Sequence, residues 1–334
     1  MARELGLFEK YGLRVQLRRE VGWATIRDKI FYEQLDAAHA LAPMVFAASL
    51  GLEGAAVDCV ASLVLNLHGN AVTLSQPLAK AAVDPQALRT FLKEREHLVL
   101  GIPFLFSSHY FLALTWLKSL GLAPESAQFV VVPPPQMPLN LKAGHLDGYC
   151  VGDPWNSVAV LAGFGTIATT SARIAPRHPE KVLMVRREFA ETRAEEHTRL
   201  IAALLESCRY CDAPENRGQI VETLSQKQYL NASPAALLLG LTGKFESGDE
   251  DFEPSDDFTI FSRCNANEPS SDKAAWIVEG LRESGLCKDS PLRNRAFEQQ
   301  IFSSEAYDRA LRLSNETQRE DENKDALEDE PALS

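Results

Sequence analysis

Two stretches far apart in this chain carry one pattern: Leu35-Asp36-Ala37-Ala38-His39-Ala40-Leu41-Ala42-Pro43 and Leu146-Asp147-Gly148-Tyr149-Cys150-Val151-Gly152-Asp153-Pro154. In each, a helix-like segment runs into Leu-Asp, then a short strand of small residues, then a turn fixed by proline. Coincidence among short strands is the plain reading. The constraining one is a helix-to-strand unit used twice, about 110 residues apart. It predicts two similar α/β lobes, with the gap between them as the place for a small ligand.

At 334 residues and 45% hydrophobic content, the chain can bury one large or two moderate cores. Its net charge of −12 argues against nucleic acid or an anionic membrane as partner, because both need a basic footprint. Much of that charge is local. The acidic runs 249–257 and 316–330 are poor in apolar residues and read as a solvated loop and a disordered tail. Charged residues interrupt positions 1–20, so no secretory apolar core is read there, and no run approaches the length of a membrane span. The expectation is a cytoplasmic protein with reduced thiols, since six cysteines scattered over this length make no disulfide framework.

The segment Leu5 to Leu13 reads as a helix end stopped by Gly12, and Arg14-Val15-Gln16-Leu17 alternates as a strand. Further strands are expected at 62–67, 71–74, 98–102, 129–132 and 182–185, with helices from Trp23, from Met44, over 77–95, from His109 and after Glu188. This alternation argues for an α/β fold with parallel sheets. The division it suggests is lobe 1 over 1–76, a crossing segment over 77–98, lobe 2 over 99–171, a helical return to lobe 1 over 172–314, and the acidic tail over 315–334.

Ligands of open α/β sheets sit at strand ends, where this sequence places Trp23, His39, Asn66, Asn70, Ser108, His109, Asp153 and Lys181. Ser107 and Ser108 are good N-caps for the helix that follows, which aims its positive end at the presumed cleft. His109 beside them is either a donor to an anion or a surface histidine of the capping region. Trp23 is either a ligand wall or a packing residue, and Lys181 either a counter-charge or a solvated lysine. Cys208-Arg209-Tyr210-Cys211 lacks the second ligand pair of a structural zinc, and no phosphate loop, dinucleotide fingerprint or nucleophile elbow is present. Neither a metal, a cofactor nor an enzymatic activity is expected.

Several segments, in order, resemble the nitrate/bicarbonate-binding family of periplasmic-type solute-binding proteins. They are Glu4 to Leu13, Trp23 to Asp28, Leu65 to Leu74, Val151 to Asn156, His178-Pro179-Glu180-Lys181 and Cys208 to Arg217, and the resemblance spans roughly 2–312. It implies the type II fold of that family, two α/β lobes closing on a small planar anion. It implies further that Trp23 lines the pocket, that Asn70 supplies an amide donor, and that His109 and Lys181 touch the anion. His39, Asn66, Ser108 and Asp153 would stand behind them, Asp153 either orienting the site or fixing its own turn. Bicarbonate-binding relatives carry an acidic residue at the position of Lys181 and use calcium, so lysine there implies nitrate or nitrite.

Without a secretory signal or lipid-attachment cysteine, the resemblance points to the cytoplasmic nitrate/nitrite sensors of assimilation operons. Their partner is an RNA-binding antiterminator, released on anion binding. The alternative is the solute-binding component of a nitrate ABC transporter, with a permease as partner and a periplasmic location if a signal lies upstream. Family members open with a strand before the Glu-Leu-Gly-Leu-Phe helix, so lobe 1 is expected to lack that strand here.

Overall fold

The apolar runs assemble into two separate sheets in the computed structural model, which describes residues 1–52, 54–93, 97–244, 257–287 and 295–328. The strands are β1 (Ala37–Leu41), β2 (Cys59–His68), β3 (Asn70–Ser75), β4 (Leu98–Ile102), β5 (Ala127–Val131), β6 (Gly148–Gly152), β7 (Gly165–Thr170), β8 (Pro179–Arg186) and β9 (Thr259–Ile260). One sheet has the order β1-β8-β2-β9 and the other β5-β4-β6-β3-β7. Each anchors one lobe of a type II solute-binding-protein fold.

Both sheets are covered on two faces, which is why their central strands read as unbroken apolar runs. Along β8, Val182 and Met184 pack with Met44, Phe46 and Ile277, while the alternate Leu183 and Val185 pack with Ile201, Leu205 and Ala310. In the second sheet Leu98 and Leu100 meet Leu112 and Trp116 on one face, and Tyr149 and Val151 meet Met137 and Ala159 on the other.

The expected parallel sheets are corrected. In the first sheet β8 runs antiparallel to both β1 and β2. Those two therefore point the same way, as their connecting helix Ala42–Leu50 requires, but the strand returning from the other lobe lies between them. In the second sheet β4, β5 and β6 are parallel, while β3 pairs antiparallel with β6 and β7. Strands joined by a local helix point the same way, and the two inter-lobe crossings insert β8 between β1 and β2 and β3 between β6 and β7, antiparallel to both neighbours.

The crossings also move the lobe boundary. β3 belongs to the second sheet, so the chain changes lobes at His68-Gly69 and not within 77–98. There φ is 61° at His68 and 85° at Gly69, and a Cβ on Gly69 would stand 2.9 Å from Thr259 Oγ1, so glycine lets the strand change sheets. The return passes Arg177, where φ is 63°, into β8. The stretch 77–95 forms two helices, Gln76–Ala82 and Pro85–Lys93, packed against the second lobe. β7 was not anticipated, because Gly-Thr-Ile-Ala-Thr-Thr has few large apolar residues.

Arg14-Val15-Gln16-Leu17, expected as a strand, pairs with none among the described residues. Alternation makes a strand only where a neighbour offers backbone partners, and this segment instead borders the inter-lobe cleft with Val15 and Leu17 exposed. The expected disordered tail is helical as far as Glu328, within the helix Ser304–Glu328. Its start is anchored by buried Ala306 and Ala310, and Arg209 donates to Ser314 Oγ at 2.8 Å, Gln318 Oε1 at 3.0 Å and Asn315 Oδ1 at 3.1 Å. Lys10 pairs with Asp321 at 2.7 Å. Of the acidic loop 249–257 only Asp257 is described, and it pairs with Arg263 at 3.0 Å; 249–256 and 329–334 lie outside the described residues.

The helix Ser108–Ser119, which carries the candidate anion-binding end, is set by close packing on the helix Ser271–Glu283. A Cβ on Gly280 would fall 2.3 Å from Phe111 Cδ2 and 2.5 Å from its Cε2. Alanine normally favours a helix by about 1 kcal/mol over glycine. Here overpacking is expected to reverse the sign, and Gly280→Ala should cost about 1–3 kcal/mol in urea denaturation. An unchanged or raised midpoint would contradict the packing.

Candidate functional site

The site is organised by a carboxylate. Glu180, at the start of β8 and 1% exposed, stands where the two lobes meet and collects donors from both. Its Oε2 accepts from Asn70 Nδ2 at 2.8 Å, and from Ser108 Oγ. Its Oε1 accepts from Lys181 Nζ, and His109 Nε2 lies 3.3 Å away. Asn70 comes from β3 and the Ser108–His109 pair from the helix after β4, both in the second lobe, while Glu180 and Lys181 come from the first. Burial works against charge on this carboxyl, but the surrounding groups, His109 and Lys181 first among them, outweigh it and hold its pKa well below the usual range.

A cleft of about 1350 Å³ opens beside this cluster, far larger than a nitrate ion. Trp23, His39, Asn66, His109, Asp153 and Lys181 are on its wall. Lys181 Nζ stands 5.5 Å from the centre of the Trp23 ring, and Trp23 lies 6.2 Å from His39, tilted by 41°. The helix capped by Ser107, whose side chain accepts from Tyr110 N, brings its first turn and His109 to the same place. A cation, a helix end and an aromatic wall thus meet at one point, an arrangement suited to a small anion.

The other expected residues are placed differently. Asn70 and Ser108 are fully buried, do not line the cleft, and are bonded to Glu180. Asn70 Oδ1 has no partner among the described residues. Asn66 donates to the His68 backbone oxygen at 3.1 Å and so holds the crossing turn. Asp153 accepts from Ser157 Oγ at 2.6 Å and from its backbone N–H at 3.3 Å, closing its own turn, and burial raises its pKa to about 6. Among the described residues no group of three or more His, Cys, Asp or Glu side chains is arranged to hold a metal ion.

Two features of this region escaped the sequence reading. Glu180 sits in the quoted His-Pro-Glu-Lys run, yet only the lysine was singled out. A glutamate before a lysine on a strand normally points to the opposite face, and nothing in the sequence shows that both ends reach one cluster. The second feature is the pair of histidines at the crossings: the His68 and His178 rings lie 5.4 Å apart, and His178 stacks on Trp276 at 4.9 Å. Burial pushes His178 down to about 3 and His109 to about 4.

Residues 1–225 match the NMT1-like family, and the chain belongs to it. It is 37% identical over 292 residues to the nitrate import ATP-binding protein NrtC of Synechocystis sp., a match that covers 85% of this chain and 44% of that protein. The nitrate/nitrite binding protein NrtA of Nostoc sp. is 27% identical over 88% of this chain and 69% of its own length. In structure the chain is similar to the periplasmic nitrate-binding protein NrtA from Synechocystis PCC 6803, with a TM-score of 0.87 at 22% identity, over 93% of this chain and 84% of that one. The chain therefore spans less than half the length of its NrtC relative.

Glu180→Gln keeps the shape and removes the charge that four donors surround. Because the folded pKa lies below the unfolded value of about 4.3, the carboxylate contributes stability above that value and loses it as pH falls toward the folded one. The variant should be about 3 kcal/mol less stable than the parent at pH 7, with the gap narrowing below about pH 4, in urea titrations across pH. A gap that does not change with pH would contradict an ionised Glu180.

Proposed function

We propose that this NMT1-like family member binds nitrate or nitrite in the inter-lobe cleft, and that it acts as a cytoplasmic sensor that controls nitrate assimilation through an RNA-binding antiterminator. The observation that carries the ligand reading is Lys181. Its ammonium stands on the cleft wall beside Trp23, next to His109 at the helix end. A planar monoanion with weak acceptor oxygens needs such a set: one full positive charge, fixed N–H donors and an apolar plate that excludes water. Similarity to proteins described as nitrate-binding supports the same ligand. Binding, not catalysis, is the activity proposed.

A cleft much larger than the anion suits closure on binding, which would change the surface offered to a partner. The free energy available for that switch is limited by the anion's differential affinity for the open and closed arrangements. A second reading has an observation of its own. Similarity to a protein described as a nitrate import component favours a solute-binding role in transport, with a permease as partner.

Calorimetric titration tests the ligand. Nitrate and nitrite should bind and bicarbonate should not, and Lys181→Ala should weaken nitrate by about a hundredfold, about 2.7 kcal/mol. Equal affinity in the variant would contradict the reading. For the partner, a complex with the antiterminator that dissolves on nitrate addition supports the sensor, and nitrate-dependent stimulation of a permease supports the transport role.

A further inference from the structure

Charge in this site is already balanced before any ligand arrives. Lys181 carries the positive charge expected to meet the anion, and Glu180, paired with it, carries an equal negative one. A nitrate ion added to that pair leaves one uncompensated negative charge against a fully buried carboxylate.

His109 has the same difficulty in its hydrogen bonding. Its Nε2 lies 3.3 Å from Glu180 Oε1, and a carboxylate only accepts, so in the neutral ring the hydrogen is on Nε2. Nδ1 is then a bare lone pair, and it is buried without a partner among the described residues. Nitrate also only accepts. A neutral imidazole whose single N–H faces Glu180 has none to offer the anion, whichever nitrogen it meets. Resting on the nitrate/nitrite reading, we infer that anion binding in this cleft is proton-coupled: His109 takes one proton from solvent as the anion enters.

The proton balances both ledgers. Imidazole becomes imidazolium, one N–H stays on Glu180 and the other serves the anion, and the site returns to the neutrality it had when empty. The other titratable groups facing this region are Glu180 and Lys181 on β8, His178 just before it, His39 on β1 and Cys150 on β6. None of them substitutes easily. Glu180 is held ionised by the groups around it and is paired with Lys181, burial pushes the Cys150 thiol well up, the His178 ring is stacked on Trp276 with its Nδ1 3.2 Å from the Pro179 backbone oxygen, and the His39 ring stands 6.2 Å from that of Trp23.

In the empty protein burial keeps the His109 pKa near 4, so at neutral pH the ring begins uncharged. The bound state holds one more proton than the free state, so affinity rises as pH falls. The dissociation constant should drop about tenfold per pH unit between the bound and free pKa values, and level off below the free one. Such a site answers to acidity and to the anion together.

The test is calorimetry of the full chain with sodium nitrate and sodium nitrite, from pH 5.5 to 8, in PIPES and in imidazole buffer. The expected result is an enthalpy that differs between buffers by close to one proton taken up per anion, with affinity strengthening toward pH 5.5. His109→Gln supplies an amide donor that does not titrate, and its binding enthalpy should no longer depend on the buffer. Binding with no buffer dependence, or proton uptake that persists in His109→Gln, overturns the inference and leaves the nitrate reading standing. Absence of binding by both anions at every pH overturns that reading and the inference with it.

Discussion

A single buried carboxylate sets the terms for the rest of the structure. Glu180 would be prohibitively costly alone in a low-dielectric interior, and it is kept only because every lone pair has a donor. Those donors come from β3, from the helix after β4 and from the neighbouring Lys181, so meeting the demand of one charge fixes the two lobes against each other at the crossing. It also fixes the directions of the side chains available to a ligand. Lys181 is held toward Trp23, His109 keeps one nitrogen occupied, and Asn70 is withdrawn from the cleft altogether.

The double crossing explains why this cluster can exist. β2 leaves the first sheet at His68-Gly69 and β8 re-enters it after Arg177-His178, so the two connections run side by side in opposite directions. Residues just after each crossing are remote in sequence and adjacent in space, which is how Asn70 reaches Glu180 across 110 positions. The histidine rings at the two crossings meet at a tilt, and His178 stacks on Trp276, so the connection is packed as well as hydrogen-bonded.

Much of this was legible in the chain. The repeated Leu-Asp-strand units fall on β1 and β6, one in each sheet, and seven of the nine described strands were anticipated at least in part or by that repeat, all save β7 and the two-residue β9. Trp23, His109 and Lys181 were named from strand ends and a helix cap, and the structure brings them to one wall. Sheet membership was not legible, because β2 and β3 form a nearly continuous apolar run and only backbone geometry at Gly69 separates them. Glu180 was missed because an acidic residue is the last type sought in an anion site. The acidic C-terminal stretch misled through its composition, since anchoring by Arg209 and Lys10 depends on contacts that no local pattern contains.

The most direct test of the account is a crystal structure of the protein grown with sodium nitrate at mildly acid pH. The account predicts nitrate against Lys181 Nζ and the His109 ring, with Trp23 as its wall and Glu180 still bonded to Asn70 and Ser108 behind it. Nitrate bound elsewhere in the cleft, or Glu180 turned out of its four-donor cluster to make room, would contradict it.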